Sequence, residues 1–137
     1  MDYRGWALLS AFFAGLTAVL AKRGVDGVPA NTALLVRVAF VLVFSFVLAA
    51  AAKEADLSQL TKENWLFLAF SAVATFLSWL CYFRALQTGE VSKVAPIDKL
   101  SFVVAMVLGL VVLKERFDLK VAGGAALIVA GVLVTLA

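Results

Sequence analysis

Five apolar runs, each long enough for a helix to cross a bilayer, are joined by links too short to form a second layer of structure. They cover Tyr3 to Ala21, Asn31 to Ala52, Glu63 to Phe83, Val94 to Leu113 and Leu119 to Ala137, some only when flanking polar residues are counted. A membrane-spanning helix needs about 20 predominantly apolar residues. The links are polar: "KRGVDGVPAN" carries glycine and proline breakers, "KEADLSQLTKEN" is charged, and "KERFD" is nearly all charge. Apolar residues make up 64% of the chain and charged residues 15%, against roughly 45–50% and about 25% in a soluble domain. The expected fold is therefore an all-α membrane protein, a single domain built as a bundle of five transmembrane helices. The run Trp6 to Ala21, short and preceded by Arg4, resembles a signal peptide. Four more such runs follow it and the basic pair Lys22 and Arg23 closes it, so it is expected to be a retained span.

Composition also excludes chemistry. The net charge is only +3 and falls in short clusters between the apolar runs, with no basic face for nucleic acid. There is no histidine and one cysteine, Cys81, so neither an intrachain disulfide nor a His/Cys metal site is expected within one chain, and no cofactor is expected. No Ser/His or paired-carboxylate constellation suggests an enzyme.

The informative residues are charges drawn into the apolar runs. Leu100 to Leu113 is 14 residues, about 21 Å of helix against a hydrocarbon core about 30 Å thick. The fourth span must therefore recruit Val94 to Lys99, which draws Asp98 and Lys99 within or just under the interface. Arg37 is placed similarly in the second span. Lysine and arginine near a span end can snorkel to the headgroups, whereas a short aspartate needs a partner. Lys99 lies about 100° around the helix from Asp98 and so cannot face the same way. In the third span Trp79 sits deep, suited to packing, lipid contact or substrate contact. Ser71, Thr75 and Ser78 recur at steps of four and three, a stripe that lines a polar path or bonds back to the helix carbonyls. Ser101 follows the Asp98–Lys99 pair. The candidate path or coupling residues are Asp98, Lys99, Thr75, Ser78, Trp79, Ser101, Arg37 and Lys22.

Helix contacts in lipid depend on small residues. The fifth span, "VAGGAALIVAGVLVTLA", sets Ala122, Gly123, Ala126 and Ala130 on a surface suited to another helix, with Ala14, Gly15 and Gly109 as lesser sites elsewhere. An odd number of spans puts the termini on opposite sides. Arg4, Lys53, Lys62, Lys114, Arg116 and Lys120 then collect on one side. Lys22, Arg23, Arg84 and Lys93 collect on the other, joined by Arg37 and Lys99 if these are included. The positive-inside bias is weak, which allows insertion both ways up and an antiparallel homodimer.

The stretch "YFRALQTGEVSKVAPIDKLSFVVAMVLGLVVLKERFDLKVAGGAALIVAGVLV", Tyr82 to Val134, resembles the second half of the EamA domain of the drug/metabolite transporter superfamily. The "ALQTGEVS" turn, a proline opening the fourth span, "KERF" after it and a "GGAALIVAG" last span carry the resemblance. Weaker echoes are "AKRG" and the arginine of "LLVRVAF". The resemblance implies one half of a ten-helix inverted-repeat transporter, since family members usually carry two such units and shorter ones are thought to pair as dimers. It implies a cavity lined by the first, third and fourth spans, with the fifth given to dimer contacts. The buried glutamate of small quaternary-ammonium exporters is missing from "WALLSAFFAGLTAVLA", against a cation/proton exporter of that type.

The expected function is transport of a small polar metabolite or drug by alternating access in an antiparallel homodimer. The expected setting is the cytoplasmic (inner) membrane of a bacterium or archaeon, with the lipid bilayer, a second copy and a small-molecule substrate as partners. Deep charge that is more positive than negative favours an anionic or amphoteric solute, and Asp98 is the candidate proton-coupling group. An accessory membrane subunit of a larger complex, or a lipid-carrier flippase using Lys22, Arg23 and Arg37, are the alternatives.

Overall fold

In the computed structural model, which describes residues 2–136, the five runs become six α-helices with no strand among the described residues. They are α1 Tyr3–Gly24, α2 Ala30–Ala51, α3 Lys62–Thr88, α4 Val91–Asp98, α5 Leu100–Val111 and α6 Leu119–Leu136, with a short 3₁₀ turn at Leu57–Gln59. Helices α1, α2, α3 and α6, and α4 with α5 taken together, are long and apolar enough to cross a membrane.

The fourth span is not one helix. Pro96 lies inside α4 and removes a backbone donor. Three residues later the ladder tightens: Lys99 N–H bonds the Pro96 carbonyl at 3.0 Å and Phe102 N–H bonds the Lys99 carbonyl at 3.1 Å. Lys99 is the joint between α4 and α5. Lys99 keeps right-handed helical backbone at the joint (φ −68°, ψ −10°), and it is exposed where Asp98 is half-buried. The two side chains form an ion pair at 3.8 Å.

Helix starts follow the side chains that precede them. Asp2 accepts from Gly5 N–H at 3.0 Å to cap α1, and Asp118 accepts from Lys120 N–H at 2.8 Å to cap α6. At α3, Thr61 and Asn64 form a reciprocal capping box, Asn64 N–H to Thr61 Oγ1 at 3.2 Å and Thr61 N–H to Asn64 Oδ1 at 3.1 Å. Asp56 caps the 3₁₀ turn, and the hydrogen bonds it accepts from Ser58 and Gln59 hold its carboxyl below the usual carboxylate range. Helix α2 ends in a Schellman motif, with Glu54 N–H on the Ala49 carbonyl at 2.9 Å and Lys53 N–H on the Ala50 carbonyl at 3.1 Å. Its left-handed position is filled by Lys53, φ 59°, where glycine is the usual residue.

The helices group into two packing units. In Leu20–Thr88, α2 packs along α3; in the unit made of residues up to Val19 and from Gly89 onward, α6 packs on α4 and α5. Only Ala18, Val25, Ala30, Leu34, Phe83, Leu86, Ala125 and Val132 form the buried apolar set among the described residues. The outer faces of the spans carry leucine, valine and phenylalanine, the inverse of a soluble surface and the pattern lipid requires. On α6, Ala125 and Val132 turn inward, Ala122 is half-buried, and Gly123, Ala126 and Ala130 remain exposed. A Cβ added at Gly123 would meet nothing within 4 Å. Gly109 has a different use: a Cβ there would stand 2.6 Å from Glu115 Oε2, so the glycine makes room for a carboxylate of its own chain.

A left-handed non-glycine residue costs about 1–2 kcal/mol. Lys53→Gly is therefore expected to raise the apparent melting temperature in detergent, while Lys53→Ala, which loses the same charge but keeps the Cβ, does not. Equal melting temperatures for the two variants would show that no strain resides at this position.

Candidate functional site

Arg37 occupies the eighth position of α2, about 10 Å of helix from its start. Its guanidinium lies over the Trp79 ring, 4.3 Å from the centroid, and 5.5 Å from that of Phe83. Trp79 and Phe83 are four residues apart on α3, so their rings follow one another along a single face. Thr75 is one turn earlier on that face; Ser78 is offset by one helical step, and both are exposed. Arg37 itself is half-buried.

The energetics explain the aromatic seat. An arginine at the centre of a spanning helix costs about 2.5–3.5 kcal/mol, and a desolvated cation over an indole recovers about 2 kcal/mol. Rings accept no directed N–H bonds of the kind a carboxylate accepts. Among the described residues the guanidinium makes no ion pair with a carboxylate, and the Tyr82 phenol interacts with it electrostatically.

Lys22 lies where α1 ends. Its Nζ donates to the Leu86 carbonyl at 2.5 Å, and Gln87 Nε2 donates to the Val28 carbonyl at 2.7 Å. These bonds join residues 64 and 59 positions apart in the chain and fasten the α1–α2 link to the last turn of α3. Around them lies a cavity of about 630 Å³ bearing Lys22, Arg23, Asp26 and Gln87. A smaller cavity of about 320 Å³ runs between α2 and α3 from Asn31 and Arg84 to Val38 and Phe76.

Of the residues expected to carry a path, the structure brings Arg37 and Trp79 into contact and pairs Asp98 with Lys99. Lys22 is engaged at a backbone carbonyl. Asp98 and Lys99, with exposed Ser101 in the first turn of α5, belong to the other packing unit. Sequence reasoning overlooked Phe83 as an arginine platform and Gln87 as a tie. The spacing Trp79 to Phe83 was a signal for the first; nothing local signalled the second.

Comparison with known proteins agrees with the helix pattern. Residues 4–137 match the EamA-like transporter family. A Sinorhizobium sp. protein named "Uncharacterized transporter in cobO 3'region" is 45% identical over 133 residues, covering 96% of this chain and 94% of that protein. No solved structure matches the chain at a significant level. With the match running almost the full length of five membrane-capable helical segments, the chain belongs to the EamA-like transporter family and is an integral, multi-pass membrane protein.

Proposed function

We propose that this transporter carries a small polar solute with a carboxylate or similar anionic group, by alternating access in an antiparallel homodimer, in the cytoplasmic membrane of a bacterium or archaeon. The observation that supports the substrate class is Arg37, an intramembrane cation seated on Trp79 and Phe83 with no ion-pair partner among the described residues. A charge held at depth marks a solute path by default. Arginine binds carboxylate through a planar two-pronged contact, and the rings fix its plane before the solute arrives. An amphoteric solute such as an amino acid satisfies the same requirement at its carboxylate end.

The dimer follows from what one chain leaves uncovered. Gly123, Ala126 and Ala130 are exposed on α6, the face opposite Ala125 and Val132 is free of intrachain packing, and small residues allow helices to approach closely. The near-balanced distribution of basic residues between the two sides supports two orientations over one.

Losing a charge-assisted hydrogen bond costs about 1.5–3 kcal/mol. Arg37→Met is therefore expected to raise KM for an anionic solute in proteoliposomes by at least about tenfold, with Arg37→Lys intermediate and Trp79→Phe close to wild type. Uptake that is unchanged in Arg37→Met would remove Arg37 from the path. For topology, a cysteine at Ala55 in a Cys81-free background is expected to label from both faces of intact cells. Labelling from one face alone would exclude the antiparallel homodimer and direct attention to a partner protein.

A further inference from the structure

The groove between α2 and α3 has an order that the transport proposal does not use. On α2 it is lined at positions 31, 34, 35 and 38, and on α3 at 76, 80 and 84, the spacing of one face on each helix. Because the helices run in opposite directions, polar Asn31 and Arg84 share one end. Leu34, Leu35 and Leu80 follow, and Val38 and Phe76 close the other end. Polarity therefore changes from charged to apolar along the helix axis, in the sequence head to tail.

The dimensions match one leaflet. From Asn31 to Val38 is about 10 Å and from Phe76 to Arg84 about 12 Å, against half of a core about 30 Å thick. Asn31 is the second residue of α2, and Arg84 lies within the last turns of α3, so the polar end is at headgroup depth. The electrostatics there favour an anion. One turn beyond Arg84, Gln87 borders the neighbouring cavity, which adds Lys22 and Arg23 against a single acid, Asp26. Arg37 does not line the groove; its rings, Trp79 and Phe83, each precede a groove residue of α3 by one position and lie on the adjoining face.

We infer that this groove is a binding site for one anionic phospholipid, its phosphate held by Arg84 and Asn31 and one acyl chain laid against Leu80 and Phe76. The lipid lies along the outer seam of two helices that pack on each other, and it does so without occupying the arginine site.

The test uses the full chain purified in detergent, with phosphatidylglycerol and phosphatidylcholine added separately and retained lipid counted by native mass spectrometry. One basic residue at a membrane surface contributes about 1 kcal/mol, so a preference for phosphatidylglycerol of about fivefold is expected. Arg84→Gln should reduce the ratio to near one, and Leu80→Trp, which fills the groove, should lower retention of that lipid while leaving secondary structure intact. Arg116→Gln, in the α5–α6 link, should keep the preference. Should Arg84→Gln fail to fold, Asn31→Leu is read in its place. Equal retention of both lipids by the wild type, or an undiminished preference in Leu80→Trp and in the headgroup variant, overturns the site. Retention of soluble glycerol phosphate equal to that of the lipid also overturns it, since the acyl groove would then contribute nothing.

Discussion

A peptide backbone in hydrocarbon has no water to bond, so each N–H and C=O must find a partner inside the protein. This constraint accounts for the helices and directs attention to their ends, where the ladder runs out. Asp2, Thr61 with Asn64, and Asp118 meet it at the starts of α1, α3 and α6, and the turns through Lys53 and Lys114 meet it where α2 and α5 stop. Among the described residues the one interruption inside a span, following Pro96, is closed by two tight three-residue bonds, and the charged pair of the fourth span falls at that interruption. A broken ladder and a polar pair occur together because both need a local setting less apolar than lipid.

The same constraint governs Arg37. A guanidinium cannot be neutralised at any accessible pH, so within a span it must be solvated by something the protein provides. Two α3 rings do this without a carboxylate, joined by the electrostatic contribution of Tyr82 on the same helix. An acid in that position would cancel the field; aromatic faces stabilise the cation while leaving its net charge available to an incoming group. That distinction separates a binding group from a structural ion pair such as Asp98–Lys99.

The apolar runs were legible because each exceeds the length that lipid demands, and the caps at Thr61 and Asp118 sit where polar links meet those runs. The break at Lys99 was not, although Pro96 was visible, because an unbroken apolar stretch outweighs one residue in any windowed reading. The ion pair between the neighbouring Asp98 and Lys99 depends on side-chain reach, which spacing alone does not show. The contact of Arg37 with Trp79, and the ties from Lys22 and Gln87, depend on pairing between helices more than 40 residues apart in the chain. Hydropathy carries no information about which faces of two spans meet. Gly109 also lies against the Glu115 side chain, a local contact that spacing did not reveal.

Helix termini within Leu20–Thr88 are fastened by two kinds of bond. At the α2–α3 link the partners are close in sequence, as in the Schellman turn at Lys53 and the Thr61–Asn64 box, and these bonds survive any rigid movement of one helix against the other. At the opposite end α2 starts from Pro29 with no side-chain cap, and the link before it is held through Lys22 to Leu86 and Gln87 to Val28. Those bonds join separate elements, so displacing the α1–α2 link from α3 breaks both while leaving the local caps untouched. The neutral Gln87 bond contributes about 0.5–1.5 kcal/mol net and the charged Lys22 bond about 1.5–3 kcal/mol, and parting these elements would also expose Val25 and Leu86. That end also carries the buried apolar residues of the unit, Val25, Ala30, Leu34, Phe83 and Leu86, so it is fastened by side-chain packing as well as by bonds between elements, while the α2–α3 link is largely exposed and closed by its own local caps.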